Sequence, residues 1–324
     1  MRAVVIEGSG GPNVLSVQDV ADAVPADGDV LIDVVAAGLN RADVQQRRGF
    51  YPPPEGASDI PGLEVSGHIA DCGTSRFAVG DAVVALLAGG GYAERVAVPV
   101  GQVVVAPAGV NLVDAAGLPE TAATVWSNLV LQAGLAEGDD VLIHGASGGI
   151  GVMAIQVSLA LGAVPHVTGG SAAKLDVARS LGVGTLIDYR DQDFVEKVLA
   201  ATNGRGADVI LDVVGARYLA RNIATLAKGG RLVVIGLQGG ATAELDLGAL
   251  MGKRASVAGT TLRARPVEEK AAIMAAVQEN VWPLVASGAV KPFVDRTFPL
   301  AQVADAHTYF DSGEHTGKVL LTMN

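Results

Sequence analysis

Three glycines spaced three apart, Gly145, Gly148 and Gly151, follow the apolar run 141–144 and open a stretch, 152–161, that holds no charged side chain. A helix that begins this way leaves its first backbone N–H groups bare, and bare N–H groups at a helix start suit a pyrophosphate. The first glycine turns the chain, the second admits the phosphates, and the third lets helix and strand pack closely. Ser147, Gly148, Gly149, Ile150 and Gly151 are therefore candidate ligands of a dinucleotide. An ordinary Gly/Ser-rich loop has the same composition. The site is favoured by context: a strand before, a helix after, and a second apolar run, 163–168, at the distance a βαβ unit requires.

The far end of that second run selects between cofactors. A carboxylate about 20 residues past the motif would hold a neutral ribose 2′-hydroxyl, yet no Asp or Glu occurs from Gly145 to Leu175. The chain reads Thr168-Gly169-Gly170-Ser171 there, with Lys174 one turn later. A hydroxyl, a backbone turn and an ammonium suit a 2′-phosphate, so the expected cofactor is NADPH. Tyr189, just past the third apolar run at 184–188, can close the same pocket. Each residue has a plainer reading: Ser171 as a helix cap, Lys174 as a solvated lysine, Tyr189 as a strand-end aromatic. Gly215, Gly236 and Leu237 follow later strands, where strand ends meet a cofactor or where turns merely punctuate.

These residues need a scaffold, and 324 residues suffice for two domains. The chain is 50% hydrophobic but only 4% aromatic, as buried parallel strands of Val, Ala, Leu and Ile require. Short runs at 3–7, 15–20, 30–36, 63–71, 82–87 and 93–98, cut by Gly, Pro and Asp, predict a β-rich, barrel-like domain. A helical stretch, 120–133, leads into strands 141–144, 163–168, 185–188, 209–213, 231–235 and 256–260 alternating with helices, the pattern of a doubly wound parallel sheet. A helix at 267–286, a strand at 293–298, a short helix at 301–310 and a strand at 319–322 return to the first domain. The expected architecture is α/β: a β-rich domain of residues 1–119 and 263–324, and a cofactor domain of residues 120–262.

A net charge of −11 opposes nucleic acid or an anionic membrane as the main partner. The one cysteine, Cys72, excludes an intramolecular disulfide and is expected as a small buried hydrophobe in a reducing compartment. No signal-peptide pattern and no membrane-spanning run is evident, so the expected location is cytoplasmic. The apolar run 231–236, read as an edge strand, predicts self-association as a homodimer or a dimer of dimers.

Further motifs, Asn40-Arg-Ala-Asp43, Gly49-Phe-Tyr-Pro-Pro-Pro54, Pro61-Gly-Leu-Glu-Val-Ser-Gly67, Leu118-Pro-Glu-Thr-Ala-Ala-Thr124, the segment 256–265 and the Gly317-Lys-Val tail, extend over the whole chain. Together with the glycine turn they resemble the medium-chain dehydrogenase/reductase superfamily, and within it the zinc-independent NADPH:quinone oxidoreductases of the ζ-crystallin type, most similar to the tumour-suppressor-inducible branch. The resemblance implies a GroES-like first domain and a Rossmann second domain. It also implies that Thr124 lies on the nicotinamide side, that the Gly236–Leu237 backbone holds the carboxamide, and that Lys318 comes near the cofactor; a surface position is the plainer reading of Lys318. Where zinc-dependent relatives carry Cys and His, this chain reads Asn40 and Leu63, followed by Glu64.

Independently, the five histidines (68, 144, 166, 307 and 315) show no metal-ligand spacing, and His144 is expected to pack or hydrogen-bond locally. Alcohol oxidation puts negative charge on one oxygen and calls for a Lewis acid or a tuned acid. A quinone spreads incoming charge over its own π system, so orientation by the protein suffices. Asn40, Tyr51 and Thr124 are the candidate catalytic and cofactor-contacting residues of the NADPH-dependent reaction. Their plainer readings are a turn cap, a loop aromatic packed on 52–54, and a helix hydroxyl bonded to its own backbone. Two alternatives stay open: an NADPH-dependent enal, enone or enoyl reductase, and a non-catalytic NADPH-binding regulatory or structural protein.

Overall fold

Short strands, the central ones buried along much of their length, build the first unit of the chain. The computed structural model describes residues 1–323. Two units are resolved, Met1–Ala123 joined by the tail from Leu262 onward, and Thr124–Thr261. The first begins with β1 (Arg2–Ile6), β2 (Leu15–Asp19), β3 (Asp29–Gly38), α1 (Arg41–Arg47), β4 (Glu64–Asp71), β5 (Ala82–Leu86), β6 (Arg95–Pro99) and β7 (Val103–Val105), then α2 (Leu112–Ala115) and α3 (Pro119–Val125).

The second unit alternates strictly. It runs β8 (Asp140–His144), α4 (Gly149–Ala160), β9 (Val164–Gly169), α5 (Ala172–Ser180), β10 (Thr185–Asp188), α6 (Phe194–Ala201), β11 (Ala207–Asp212), α7 (Leu219–Thr225), β12 (Leu226–Val234), α8 (Leu247–Lys253) and β13 (Ser256–Gly259). The tail adds α9 (Val267–Asn280), α10 (Trp282–Ala286), β14 (Val294–Pro299), α11 (Val303–Ser312) and β15 (Lys318–Thr322).

In the first unit seven strands form one sheet in the order β14-β15-β3-β4-β5-β7, with β6 also on β3, over a core that includes Ile32, Val65, Val83, Tyr92 and Leu321. Strand β3 is the hub, since it pairs with β4, β6 and β15. In the second unit six parallel strands run β10-β9-β8-β11-β12-β13. Covered on both faces, this sheet buries Val141, Leu142, Ile143, Ile210 and Leu232 completely. Strand order reverses between β8 and β11, which opens a crevice at their carboxyl ends. The fold is therefore α/β, a GroES-like sheet unit plus a doubly wound Rossmann-type sheet.

The structure departs from the sequence reading at several elements. The run 231–236 is not an edge: β12 lies between β11 and β13, and β13 is the outer strand. Glycines at both ends of 231–236 made it look like a short isolated strand, but β12 starts at Leu226. The helical stretch 120–133 is α only to Val125 and continues as a π-helix, Trp126–Gln132. There the Asn128 amide donates to the Thr124 carbonyl at 2.7 Å and accepts from Thr260 at 2.5 Å, a side-chain intrusion of the kind that widens a helix. The long helix expected at 267–286 breaks at Val281, with Pro283 in the first turn of α10. Helices α1 and α2 and strand β7 are absent from the sequence reading, being too short for a periodicity to register. Cys72 is only partly buried and packs against the first core from its rim. Among the described residues no helix is long and apolar enough to cross a membrane.

Candidate active site

The glycine turn sits at the carboxyl end of β8, beside the order reversal. Gly145 has φ +86°, which only glycine adopts without strain. A side chain on Gly151 would collide with the Gly145 carbonyl and the Ala146 backbone, so that glycine is demanded by packing. Gly148 is different. Its φ is −76°, and a Cβ there would touch nothing within 4 Å. Nothing in the protein requires glycine at this position, whereas a phosphate lying against the turn does. Helix α4 starts there with no side-chain cap and no acidic residue in its first turn, leaving N–H groups for an anion.

A second corner lies at the ends of β9 and β10, which pair in parallel. Ser171 caps α5 by accepting from the Lys174 N–H at 3.3 Å, and its own hydroxyl hydrogen is left to donate outward. The cap and ligand readings of Ser171 are thus compatible. Tyr189 N–H donates to Gly169 at 3.1 Å, and its hydroxyl lies where a Cβ on Gly170 would be. Lys174 is half-buried and makes no ion pair among the described residues. Ser171 and the Tyr189 hydroxyl thus meet at Gly170, with Lys174 in the first turn of α5, and the turn 169–171 itself carries no carboxylate, Asp188 lying beside Gly169 on β10.

The turns after β11 and β12 pack backbone to backbone. Gly215 has φ +80°, and a side chain there would meet the carbonyls of Gly240 and Gly236 at 2.8 and 3.1 Å. Gly236 rests equally closely on Val213, and Leu237 is 58% exposed beside them. Thr124 is buried, and its carbonyl is held by Asn128.

In the first unit the sheet order β15-β3-β4 brings three polar residues to one sheet end. Lys318 opens β15, Glu64 opens β4, and Asn40 follows β3 as the residue that starts α1. Lys318 is 5% exposed, so it is not the surface lysine of the plainer reading. Its ammonium donates to the Leu39 carbonyl at 2.7 Å, the Asn40 Oδ1 at 2.8 Å and the Glu64 Oε1 at 2.6 Å, using all three hydrogens. The Asn40 Nδ2 donates to Glu64 at 3.0 Å and to the Gly38 carbonyl at 3.3 Å. A cation on Oδ1 and an anion on Nδ2 fix the amide's orientation. The Asn40 side chain also faces the Asp43 N–H in a capping box, so its Oδ1 is shared between Lys318 and the helix start, and with both amide hydrogens spent it cannot donate to a carbonyl oxygen.

Glu64 is fully buried and also accepts the Glu120 N–H at 2.9 Å. Asp43, fully buried in α1, accepts from the N–H groups of Asn40 and Gly62 at 2.8 and 3.0 Å and from the Tyr92 hydroxyl at 3.0 Å; burial lifts its pKa to about 6. Tyr51 is half-buried, which raises its pKa, and the Arg263 guanidinium sits 5.4 Å from its ring centre. Arg263 is itself buried and donates to the carbonyls of Tyr51 and Ala88 at 3.2 and 2.7 Å and to Gln46 at 2.7 Å, which holds the loop. Tyr51 therefore does more than pack on neighbouring prolines.

Two family profiles match the chain, the alcohol dehydrogenase GroES-like domain over residues 26–108 and the zinc-binding dehydrogenase domain over residues 181–321. Human quinone oxidoreductase is 31% identical across all of this chain and 98% of its own length. The chain belongs to the medium-chain dehydrogenase/reductase superfamily. It is a quinone oxidoreductase-like, NAD(P)H-dependent oxidoreductase of that superfamily. Among solved structures, Escherichia coli quinone oxidoreductase in complex with NADPH superposes with a TM-score of 0.88 at 29% identity, covering 99% of this chain and all of that one. CurK enoyl reductase gives a TM-score of 0.86 at 28% identity, covering all of this chain and 99% of that one.

One of the matching superfamily profiles is described as zinc-binding, so fit to zinc is a structural question. The positions of interest hold a carboxamide, Asn40, an alkyl group, Leu63, and a carboxylate, Glu64, already neutralised by Lys318. Among the described residues no three His, Cys, Asp or Glu side chains converge as a cluster able to hold a metal. This donor set does not fit zinc.

Sequence reasoning missed Glu64 and Arg263 as parts of the site. Glu64 had a signal: a carboxylate between Leu63 and Val65 in a buried strand demands a partner. Arg263 had none, because its partners Gln46, Tyr51 and Ala88 are remote in sequence.

Proposed function

We propose that this protein reduces quinones with NADPH and without a metal. The observation that carries the reading is the pairing of two corners on the second unit: an uncapped helix start behind Gly148, and the Ser171–Lys174–Tyr189 corner, whose turn, 169–171, itself holds no carboxylate. The first suits a pyrophosphate. The second suits a 2′-phosphate, which takes a hydrogen bond from the Ser171 Oγ, charge from the Lys174 Nζ and a hydrogen bond from the Tyr189 hydroxyl. The backbone of Gly215, Gly236 and Leu237, with Thr124, is assigned to the nicotinamide end.

The reduced nicotinamide, when bound, supplies the electrons. The chain's own residues orient the reactants. Asn40 is assigned to accept from a ribose hydroxyl through its Oδ1, because its donors are spent on Glu64 and Gly38. Lys318, with no donor left over, is a positioning residue for Asn40 and Glu64 rather than a cofactor contact. Tyr51 is assigned to donate from its hydroxyl to a substrate carbonyl oxygen; burial keeps that phenol protonated. A conjugated acceptor needs no more than this, since it carries the incoming charge itself.

Likeness to CurK enoyl reductase supports a second reading, reduction of an activated alkene on the same scaffold. Initial rates with NADPH across benzoquinones, ortho-quinones, short enals and crotonyl thioester, with and without a chelator, separate the two. The quinone reading expects quinones to dominate and the chelator to change nothing. Faster turnover of the thioester would replace it with the enoyl reading, and loss of activity on chelation would contradict both. Small-molecule acceptors rather than nucleic acid or membrane are the proposed partners, and the single, partly buried Cys72 is compatible with a reducing cytoplasm.

A further inference from the structure

Four buried polar side chains in the second unit, none of them assigned above to the ligand, form one directed chain at the point where strand order reverses. Thr168 ends the inner part of β9, His144 ends β8, Asp212 ends β11 and Asn222 lies in α7; each is at most 2% exposed. The direction of every link follows from the last. The Asp212 carboxylate only accepts, so the Asn222 Nδ2, 3.0 Å away, faces it. The Asn222 Oδ1 then faces the His144 Nε2 at 2.8 Å, and that nitrogen must carry the hydrogen. The His144 Nδ1 is left bare and accepts from the Thr168 hydroxyl at 3.0 Å. Phe194 and Tyr218 hold the imidazole edge to face, each 4.9 Å from its centre.

Both ends of the chain are tied to turns. The Thr168 carbonyl accepts the N–H groups of Gly145 and Ala146 at 3.2 and 3.0 Å, which fixes the glycine turn, and Thr168 itself precedes the Gly169–Ser171 corner. The Asp212 carboxylate accepts the N–H groups of Val214 and Gly215 at 2.6 and 3.0 Å, which fixes the turn after β11. Burial pushes the His144 pKa down to about 4, so the imidazole stays neutral and the directed pattern persists at ordinary pH. Apolar side chains would fill these positions at lower desolvation cost. What they could not do is make three separate turns share one arrangement.

We propose that His144 and Asn222 are positioning residues of the nucleotide site, coupling the 2′-phosphate corner after β9 to the turn after β11 through the Thr168–His144–Asn222–Asp212 chain. The proposal rests on the reading of this sheet end as the NADPH site. Asn222→Leu cuts the chain in the middle with little change of volume, and Thr168→Val removes its first link and serves if the first variant fails to fold. Thr202→Val is the control: it removes a buried hydroxyl bonded to Val198 and Gly206 at 2.8 and 2.9 Å, on the opposite side of β11 from its carboxyl end.

Melting temperature and the dissociation constants of NADPH and of 2′,5′-ADP, which lacks the nicotinamide, are measured for each. Leaving buried partners unpaired predicts about tenfold weaker 2′,5′-ADP binding in Asn222→Leu or Thr168→Val, and NADPH weakened at least as much. Thr202→Val lowers the melting temperature with affinities unchanged. An unchanged 2′,5′-ADP affinity in Asn222→Leu and Thr168→Val overturns the coupling, as does an equal affinity loss in Thr202→Val. A wild-type protein that binds neither ligand would instead sink the underlying NADPH reading.

Discussion

At the scale of single residues, the informative feature is how many hydrogen-bonding groups are already spent. Asn40 looks in the sequence like a versatile substitute for a metal ligand. In the fold its two N–H donors are committed to Glu64 and Gly38 and its Oδ1 faces Lys318 and the start of α1, so it cannot act as a donor. Asn40→Asp keeps the acceptor but places a second carboxylate against Glu64, whereas Lys318→Met leaves Glu64 buried without its cation. Removing one partner of a buried ion pair costs about 3–5 kcal/mol. Lys318→Met is therefore expected to lower the melting temperature sharply, and Asn40→Ala, which takes one hydrogen bond from each buried charge, to raise the KM for NADPH with a smaller loss of stability than Lys318→Met. Thermal unfolding beside steady-state kinetics checks both. An Asn40→Ala enzyme with unchanged KM and a large loss of stability would reduce Asn40 to a helix cap.

At the scale of elements, Gly148 and Gly151 of the glycine turn make opposite predictions. Gly151 is crowded by the backbone of the turn, while Gly148 opens on empty space. Gly151→Val should therefore misfold or melt early. Gly148→Val should fold with a near-normal melting temperature and bind the dinucleotide at least about tenfold more weakly, because the added methyls occupy the phosphate position. Near-normal binding by Gly148→Val would remove the phosphate from that turn.

The same turn shows how far the sequence reaches. Strand, turn and helix at 141–161 could be read directly, since the apolar run, the glycine spacing and the absence of charge are all local signals. The gathering of Ser171, Lys174 and Tyr189 was also legible, because β9 and β10 are neighbours in any such sheet. The π-helix after Val125 and the burial of Lys318 were not. Both depend on partners remote in sequence, Thr260 in one case and Glu64 in the other, and no periodicity encodes them. The misplaced edge strand has the same cause, since which strand is outermost depends on strand order rather than on strand composition.

At the scale of the molecule, the outer strand β13 leaves one side of its backbone unpaired by any other strand among the described residues. Val257 on it is 37% exposed, and Leu247 and Met251 of the preceding helix α8 are 61% and 76% exposed. A free edge flanked by apolar side chains is a surface that pairs with another copy or aggregates. Self-association through β13 rather than β12 is the proposal, and Val257→Lys with Met251→Glu should yield a monomer in light scattering. A wild-type mass equal to one chain would contradict it.

The account turns on a 2′-phosphorylated dinucleotide docking at the amino end of α4. Calorimetric titration of NADPH and NADH into wild type and Lys174→Ala tests that most directly. The prediction is tight NADPH binding, far weaker NADH binding, and a loss in Lys174→Ala confined to NADPH. Equal affinity for the two cofactors in the wild type, unaltered by the substitution, would contradict it.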